Sequence, residues 1–209
     1  MQPDLLERAA ELLKILYVTR PDVRYQEGSV QLALMILMTV ETSQTVSAFL
    51  NLMHQCYFLD FFTFRWGYMR MRLDFFDKLL KERLPHLEEH LNLLHLTSDM
   101  YLIPWLLSGF SRVLPFKTVC RVWDGFVLLG EAHMFSCAFA LLGFHEHSLM
   151  TQGFAGCIET LIERADEALF DEDRFFRLLN FHTVPTHRHA QWNATQLLAE
   201  EKQALYDLL

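Results

Sequence analysis

The chain has 209 residues and a mass of 24.6 kDa, is 52% hydrophobic, and carries a formal net charge of -8. This length suits one domain with a sizeable core, and the negative charge argues against nucleic-acid binding, which usually requires a basic face. The longest apolar runs, 32–40 and 134–144, are shorter than the roughly 18 to 20 residues of a membrane span, so no integral membrane segment is expected.

Apolar residues at helical spacing dominate the chain, and alternating strand patterns are almost absent. The predicted helices are 5–18, 30–40, 45–57, 68–83, 85–94, 100–113, 116–129, 132–144, 148–165, 171–181 and 190–209. The aromatic stretch 58–66 is ambiguous, and we interpret it as an irregular segment or a helix start. The pattern predicts an all-α fold, a single multi-helix domain of about ten helices.

A polar stretch, Arg20–Ser29, interrupts two strongly apolar helices. Pro21 disfavours helix at the preceding residue, and Gly28 can adopt backbone angles that other residues avoid. One interpretation is a helix connector with solvated charges. The other is a functional loop, because loops held by rigid elements often carry function.

Most patterns associated with chemistry are missing or weak. The four cysteines include no C-x-x-C pair, so no metal is expected from them. Histidines two apart, such as His187 and His189, point in different directions on a helix, and we interpret them as solvated surface residues and not as metal ligands. Glycine-rich phosphate loops are missing, and we expect no cofactor. The basic run between Arg65 and Arg83 is interpreted as a solvated helix face, and the lack of a signal peptide predicts a cytoplasmic protein.

Two stretches carry a recognisable pattern. Arg20-Pro21-Asp22-Val23-Arg24-Tyr25-Gln26-Glu27-Gly28 is similar to an R-P-x-x-G-Y-x-Q-G-M loop. Asp99–Trp105, Leu114-Pro115-Phe116 and Arg121-Val122-Trp123-Asp124 look like an apolar helix, an LP pair and an R-[LIV]-W-D block. Together they resemble the TBC domain, the family of GTPase-activating proteins for Rab small GTPases. The resemblance covers about 12–150, so we expect a TBC-like domain at 1–150 and further helices at 151–209, packed on the same domain.

The resemblance implies a Rab-type small GTPase as partner and a two-finger mechanism. An arginine from an I-x-x-D-x-x-R segment neutralises charge on the transferring phosphoryl group, and the motif glutamine orients the attacking water. Tyr25 matches the motif tyrosine, but Glu27 stands at the glutamine position. Arg24 replaces the usual glycine and Ser29 the usual methionine. The arginine segment belongs upstream of the first helix and does not occur in these residues, which predicts an N-terminally incomplete or degenerate member.

These departures predict a TBC-like domain that binds a Rab GTPase with weak or no activation of GTP hydrolysis. Candidate catalytic residues are Glu27 and Tyr25, and candidate partner-binding residues are Arg24, Gln26 and Ser29. A structural role is predicted for Trp105, Arg121, Trp123 and Asp124, with the Asp124 carboxylate paired to Arg121 or Arg112. The alternative is a catalytically silent helical scaffold or homodimer. Recruitment to endomembranes would follow from the GTPase partner.

Overall fold

The computed structural model describes residues 3–207, except for the side chains of residues 3, 27, 56 and 197–207. Within that range the chain forms twelve α-helices and no strand, which confirms the predicted all-α class. In chain order they are α1 (Pro3–Thr19), α2 (Glu27–Thr39), α3 (Thr45–Met53), α4 (Cys56–Phe62), α5 (Trp66–Arg83), α6 (Pro85–Leu93), α7 (Asp99–Leu107), α8 (Phe116–Leu129), α9 (Glu131–Leu149), α10 (Phe154–Ile162), α11 (Glu172–Phe181) and α12 (Thr186–Asp207).

Helix α9 lies at the centre of the fold. It is buried on nearly all sides from Ala132 to Gly143, as expected for a helix whose apolar residues do not keep to one face. Helices α7, α8, α10, α11 and α12 all pack against it. Phe139 of α9 stacks on Phe76 of α5 with the ring centroids 4.8 Å apart, so α5 also contributes to this core.

Helix α4 was not predicted as a separate helix, and only the helix-start interpretation of 58–66 anticipated it. Its seven residues are almost all apolar and show no helical period. The short helix is stabilised by packing on more than one side, because Phe58, Phe61 and Phe62 are all buried. Tyr57 is also buried, and its hydroxyl donates to the Leu106 carbonyl oxygen at 3.0 Å.

Several predicted helix bounds are wrong. The predicted helix 45–57 ends at Met53, and the last helix begins at Thr186 and not at 190. Helix α7 ends at Leu107 and not at 113, because Gly109 and Phe110 have positive φ angles of 54° and 64° and form a turn. Helix α9 continues to Leu149, and a non-helical connection separates it from α10, which begins at Phe154. The predicted helix 148–165 is therefore two pieces.

The C-terminal helices contact those before residue 150 at several points. The Trp105 indole donates to the Leu161 carbonyl oxygen at 2.8 Å, and the Trp192 indole donates to the Met71 carbonyl oxygen at 3.2 Å. These bonds join α7 to α10 and α5 to α12. The division of the chain at residue 150 stays a prediction.

A buried charge cluster links α4, α5, α9 and α12. The Arg72 guanidinium lies 2.9 Å from Asp60 Oδ2 and 2.6 Å from Glu131 Oε1, and Glu131 lies 3.6 Å from His189 Nε2. Arg72 and His189 are both buried, so the prediction that these two belong to solvated surfaces is wrong. Burial alone would raise the pKa of Glu131. The hydrogen bonds and charge interactions of its carboxylate with His189 and Arg72 outweigh this effect, so the pKa of Glu131 is lowered.

Candidate functional site

The Arg20–Ser29 segment joins α1 to the start of α2 and is fixed at both ends. Val23 is buried, and the backbone N–H of Arg24 donates to the Phe62 carbonyl oxygen at 2.9 Å. Arg20 forms a two-bond ion pair with Asp22, at 2.8 and 2.6 Å. This hydrogen bonding lowers the pKa of Asp22, so its carboxylate stays ionised beside the loop.

The centre of the segment is exposed. Tyr25 is 64% exposed, and the Arg24 side chain is also exposed, with its guanidinium 5.6 Å from the centroid of the Phe64 ring. Gln26 is half-buried and extended, and it immediately precedes α2. Arg24 and Tyr25 are therefore available to a partner, while the segment around them is held in place.

Ser29 was predicted to contact a partner, and the structure places it beneath the surface. Its side chain is fully buried, and its hydroxyl donates to the Gln26 carbonyl oxygen at 2.6 Å. The Tyr17 hydroxyl lies 3.3 Å from the same oxygen atom of Ser29. Ser29 closes the turn into α2 and does not reach a partner in this conformation. The sequence could not indicate this, because either face of the first α2 turn could have been outermost.

Glu27 is the first residue of α2, and its side chain lies outside the described part of the structure. Its neighbour Gly28 is buried against the end of α7. A Cβ atom at Gly28 would lie 2.6 Å from the Leu107 carbonyl oxygen, so only glycine allows this approach of α2 to α7. The loop block and the apolar-helix block of the sequence are thus in direct contact.

The four residues of the predicted structural block have different environments. Trp105 and Trp123 are buried, whereas Arg121 and Asp124 are exposed. Arg121 pairs with Glu172 at 3.1 Å, and its guanidinium lies 3.7 Å from the centroid of the Phe176 ring. Arg121 therefore joins α8 to α11 and does not pair with Asp124. The alternative, that Asp124 pairs with Arg112, stays a prediction.

The surroundings of the loop include aromatic residues that sequence reasoning did not connect with it. Phe64 on the α4–α5 connection and Trp66 at the start of α5 have ring centroids 6.3 Å apart, and Trp66 is 65% exposed. The only sequence signal was the aromatic composition of 58–66.

Among the described residues no group of three or more His, Cys, Asp and Glu could hold a metal ion, and none of the described helices is both long and apolar enough to cross a membrane.

Comparison with known proteins gives a single consistent result. The model of the Rab-GTPase-TBC domain family matches residues 2–150. The chain belongs to the Rab-GTPase-TBC family. It is 35% identical over 135 residues to TBC1 domain family member 12 of Xenopus tropicalis, which covers 65% of this chain and 20% of that relative. It is 31% identical over 153 residues to TBC1 domain family member 14 of Mus musculus, covering 73% of this chain and 22% of that relative. The chain therefore spans about a fifth of the length of these curated relatives.

Solved TBC structures share the fold at low sequence identity. The Ypt/Rab-GAP domain of Gyp1p aligns with a TM-score of 0.70 and 15% identity, over 88% of this chain and 66% of that one. The Chlamydomonas flagellar RabGAP TBC domain aligns with a TM-score of 0.63 and 21% identity, over 88% of this chain and 56% of that one. At this identity the likeness establishes the TBC fold alone.

Proposed function

We propose that this TBC domain binds a Rab-type small GTPase through the Arg20–Ser29 segment and stimulates GTP hydrolysis weakly or not at all. The observation that carries the proposal is the presentation of Arg24 and Tyr25. Both are exposed at the point where the family loop matches, between the buried anchors Val23 and Ser29. A segment held in this way loses little conformational freedom on binding, which favours affinity.

Weak stimulation follows from residue chemistry at position 27. A glutamine amide both donates and accepts hydrogen bonds, so it can orient a water molecule against a phosphoryl group. An ionised glutamate only accepts, and it adds negative charge where charge is already accumulating in the transition state. No I-x-x-D-x-x-R string occurs in the 209 residues, so these residues offer no motif arginine to offset that charge. Tyr25 keeps the family identity and is proposed to support the loop's contact with the GTPase.

The experiment is single-turnover GTP hydrolysis by a panel of purified Rab proteins, with this chain or its Glu27→Gln variant. An inserted arginine alone contributes about 10³- to 10⁵-fold in such systems. We expect the wild-type chain to give far less than about 10³-fold, and Glu27→Gln to give at least as much as wild type. Glu27→Ala is the control for loss of the carboxylate without gain of an amide.

The outcome that would overturn this proposal is strong acceleration by the wild-type chain that disappears in Glu27→Ala. Glu27 would then be a working catalytic residue, and another group would supply the positive charge. Binding without acceleration by either form supports a domain that recognises GTPases without switching them off.

A catalytically silent scaffold is the second candidate. It is favoured by the apolar end of α8, where Val127 and Leu128 are 76% and 81% exposed. Pull-down from a defined mixture separates the candidates, because nucleotide-dependent capture of a GTPase supports the first and capture of a non-GTPase protein supports the second. A role in vesicle traffic, with the chain cytoplasmic and recruited to endomembranes by its GTPase, belongs to the first candidate.

A further inference from the structure

The α4–α5 connection lies directly beside the exposed part of the loop. Besides the bond from the Arg24 N–H to Phe62, the Arg24 guanidinium lies over the Phe64 ring. Trp66 extends the same surface, and Arg65 is near enough to Asp22 to help lower its pKa. The two segments, far apart in sequence, therefore form one continuous exposed face.

The backbone of this connection is held in an uncommon conformation. Phe64 has a φ angle of 55°, in the left-handed region that bulky residues rarely occupy. The connection is fixed by bonds from the Arg65 N–H to the Asp60 carbonyl oxygen and from the Trp66 N–H to the Phe64 carbonyl oxygen, each 2.9 Å. Such strain persists only where the surroundings enforce it, and it is common at binding surfaces. Here it places the Phe64 ring beneath Arg24.

Among the side chains that the structure describes, the charges on this face are not evenly matched. Arg20 pairs with Asp22, and Arg65 lies 3.5 Å from Asp60. Arg24, by contrast, forms no ion pair with any described side chain, although the chain as a whole carries a net charge of -8. An arginine lying on an aromatic ring keeps its donor edge free for a carboxylate, and such a ring restricts its motion.

We propose that Arg24, Tyr25, Phe64 and Trp66 form an aromatic-arginine surface that binds a carboxylate-bearing, partly apolar patch on the protein surface of a Rab-type small GTPase. Exposed Tyr, Trp and Arg side chains are the types that most often dominate binding energy at protein interfaces. We assign the negatively charged partner of Arg24 to a carboxylate on the GTPase protein and not to the phosphates of its nucleotide. The reason is that the Arg24 guanidinium lies on the Phe64 ring of its own domain. This inference rests on the proposed function and adds a second contact segment to it.

The test is titration calorimetry with whichever Rab-type GTPase the wild-type chain binds, loaded with a non-hydrolysable GTP analogue. We expect Arg24→Ala and Trp66→Ala each to weaken binding by about tenfold or more, the loss typical of an interface hot spot. Matched controls are Arg177→Ala and Phe181→Ala, which remove an exposed arginine and an exposed aromatic ring from α11 and should leave Kd unchanged. Circular dichroism and thermal unfolding confirm that each variant is folded.

A charge swap then identifies the source of the negative charge. Arg24→Glu is expected to abolish binding, and one Asp→Lys or Glu→Lys variant of the GTPase surface is expected to restore it. If Trp66→Ala and Arg24→Ala bind as tightly as wild type, the inference fails, and the proposed function then depends on Tyr25 and is tested by Tyr25→Ala. If the single variants weaken binding but no lysine variant restores it, the assignment to a protein carboxylate is wrong. If no GTPase binds the wild-type chain, the proposed function itself fails.

Discussion

The Trp123 indole N–H donates a hydrogen bond of 2.9 Å to the carbonyl oxygen of Gly109, in the turn that ends α7. A Cβ atom at Gly109 would lie 2.8 Å from the indole ring, so a larger residue at this position would collide with Trp123. Leu107, two residues before this turn, is the residue that contacts Gly28 at the start of α2. The tryptophan of the W-D block thus supports, through one turn, the backbone on which the exposed loop rests.

Trp123→Phe is expected to destabilise the domain by about 1–3 kcal/mol, because it leaves the buried Gly109 carbonyl oxygen without its donor. Urea unfolding followed by circular dichroism measures this loss. Trp66→Phe is the matched control, since Trp66 is exposed, and its free energy of unfolding should stay within about 0.5 kcal/mol of wild type. Equal stability of both variants would show that the indole bond does not support the turn.

Gly28→Ala is expected to lower stability by about 1–3 kcal/mol, the usual cost of overpacking, and to weaken GTPase binding. The added methyl group would collide with the Leu107 backbone, which cannot rotate away as a side chain could. Gly153→Ala is the control, because nothing lies within 4 Å of a Cβ atom there. Thermal unfolding and calorimetry with the same GTPase distinguish the two effects. Unchanged stability in Gly28→Ala would contradict the close approach of α2 and α7.

The buried charge cluster predicts a specific pH dependence. The pKa of Glu131 is lower in the folded state than its ordinary value of 4.5, so its contribution to stability is complete above that pH and is lost as the pH falls below it. Glu131→Gln should lower the free energy of unfolding by about 3 kcal/mol at pH 7. This is the low end for breaking a buried ion pair, because Arg72 still pairs with Asp60 in the variant. Urea unfolding should show that the free energy of unfolding falls less between pH 7 and pH 3 in the variant than in wild type. Parallel pH profiles would contradict this role of Glu131.

Cys137 is expected to resist alkylation in the folded domain. It is a free thiol, fully buried on α9, and burial raises its pKa, so little reactive thiolate is available. Mass spectrometry after iodoacetamide treatment should find Cys137 unmodified under native conditions and modified in urea. The half-exposed Cys120 is the internal comparison, and it should react first. Rapid native labelling of Cys137 would indicate that the core opens readily.

The long periodic helices could be predicted from the sequence because their pattern reflects one buried face each. Helix α4 could not, because Phe58, Phe61 and Phe62 are buried on different sides and the period disappears. The early end of α7 was equally hidden, since a positive φ at Phe110 is enforced by packing around Trp123 and Gly109. Local preference was overridden by tertiary contacts in both places.

The candidate site was only partly predictable for a related reason. The motif located Arg24 and Tyr25, and the structure shows both exposed. It could not show that Ser29 faces inward, or that Phe64 and Trp66 lie beside Arg24, because that neighbourhood depends on the Arg24–Phe62 backbone bond. Contacts between distant segments leave no mark in the spacing of either segment.

Nucleotide-dependent capture of Rab-type GTPases tests the account most directly. The immobilised chain is incubated with a panel of GTPases, each loaded with GDP or with a non-hydrolysable GTP analogue, alongside Tyr25→Ala. We predict that at least one GTPase is retained more strongly in the GTP-like form and that Tyr25→Ala reduces its retention, because this exposed ring lies at the centre of the loop. Retention of no GTPase, or equal retention by wild type and Tyr25→Ala, would contradict the assignment of the Arg20–Ser29 segment as the binding surface.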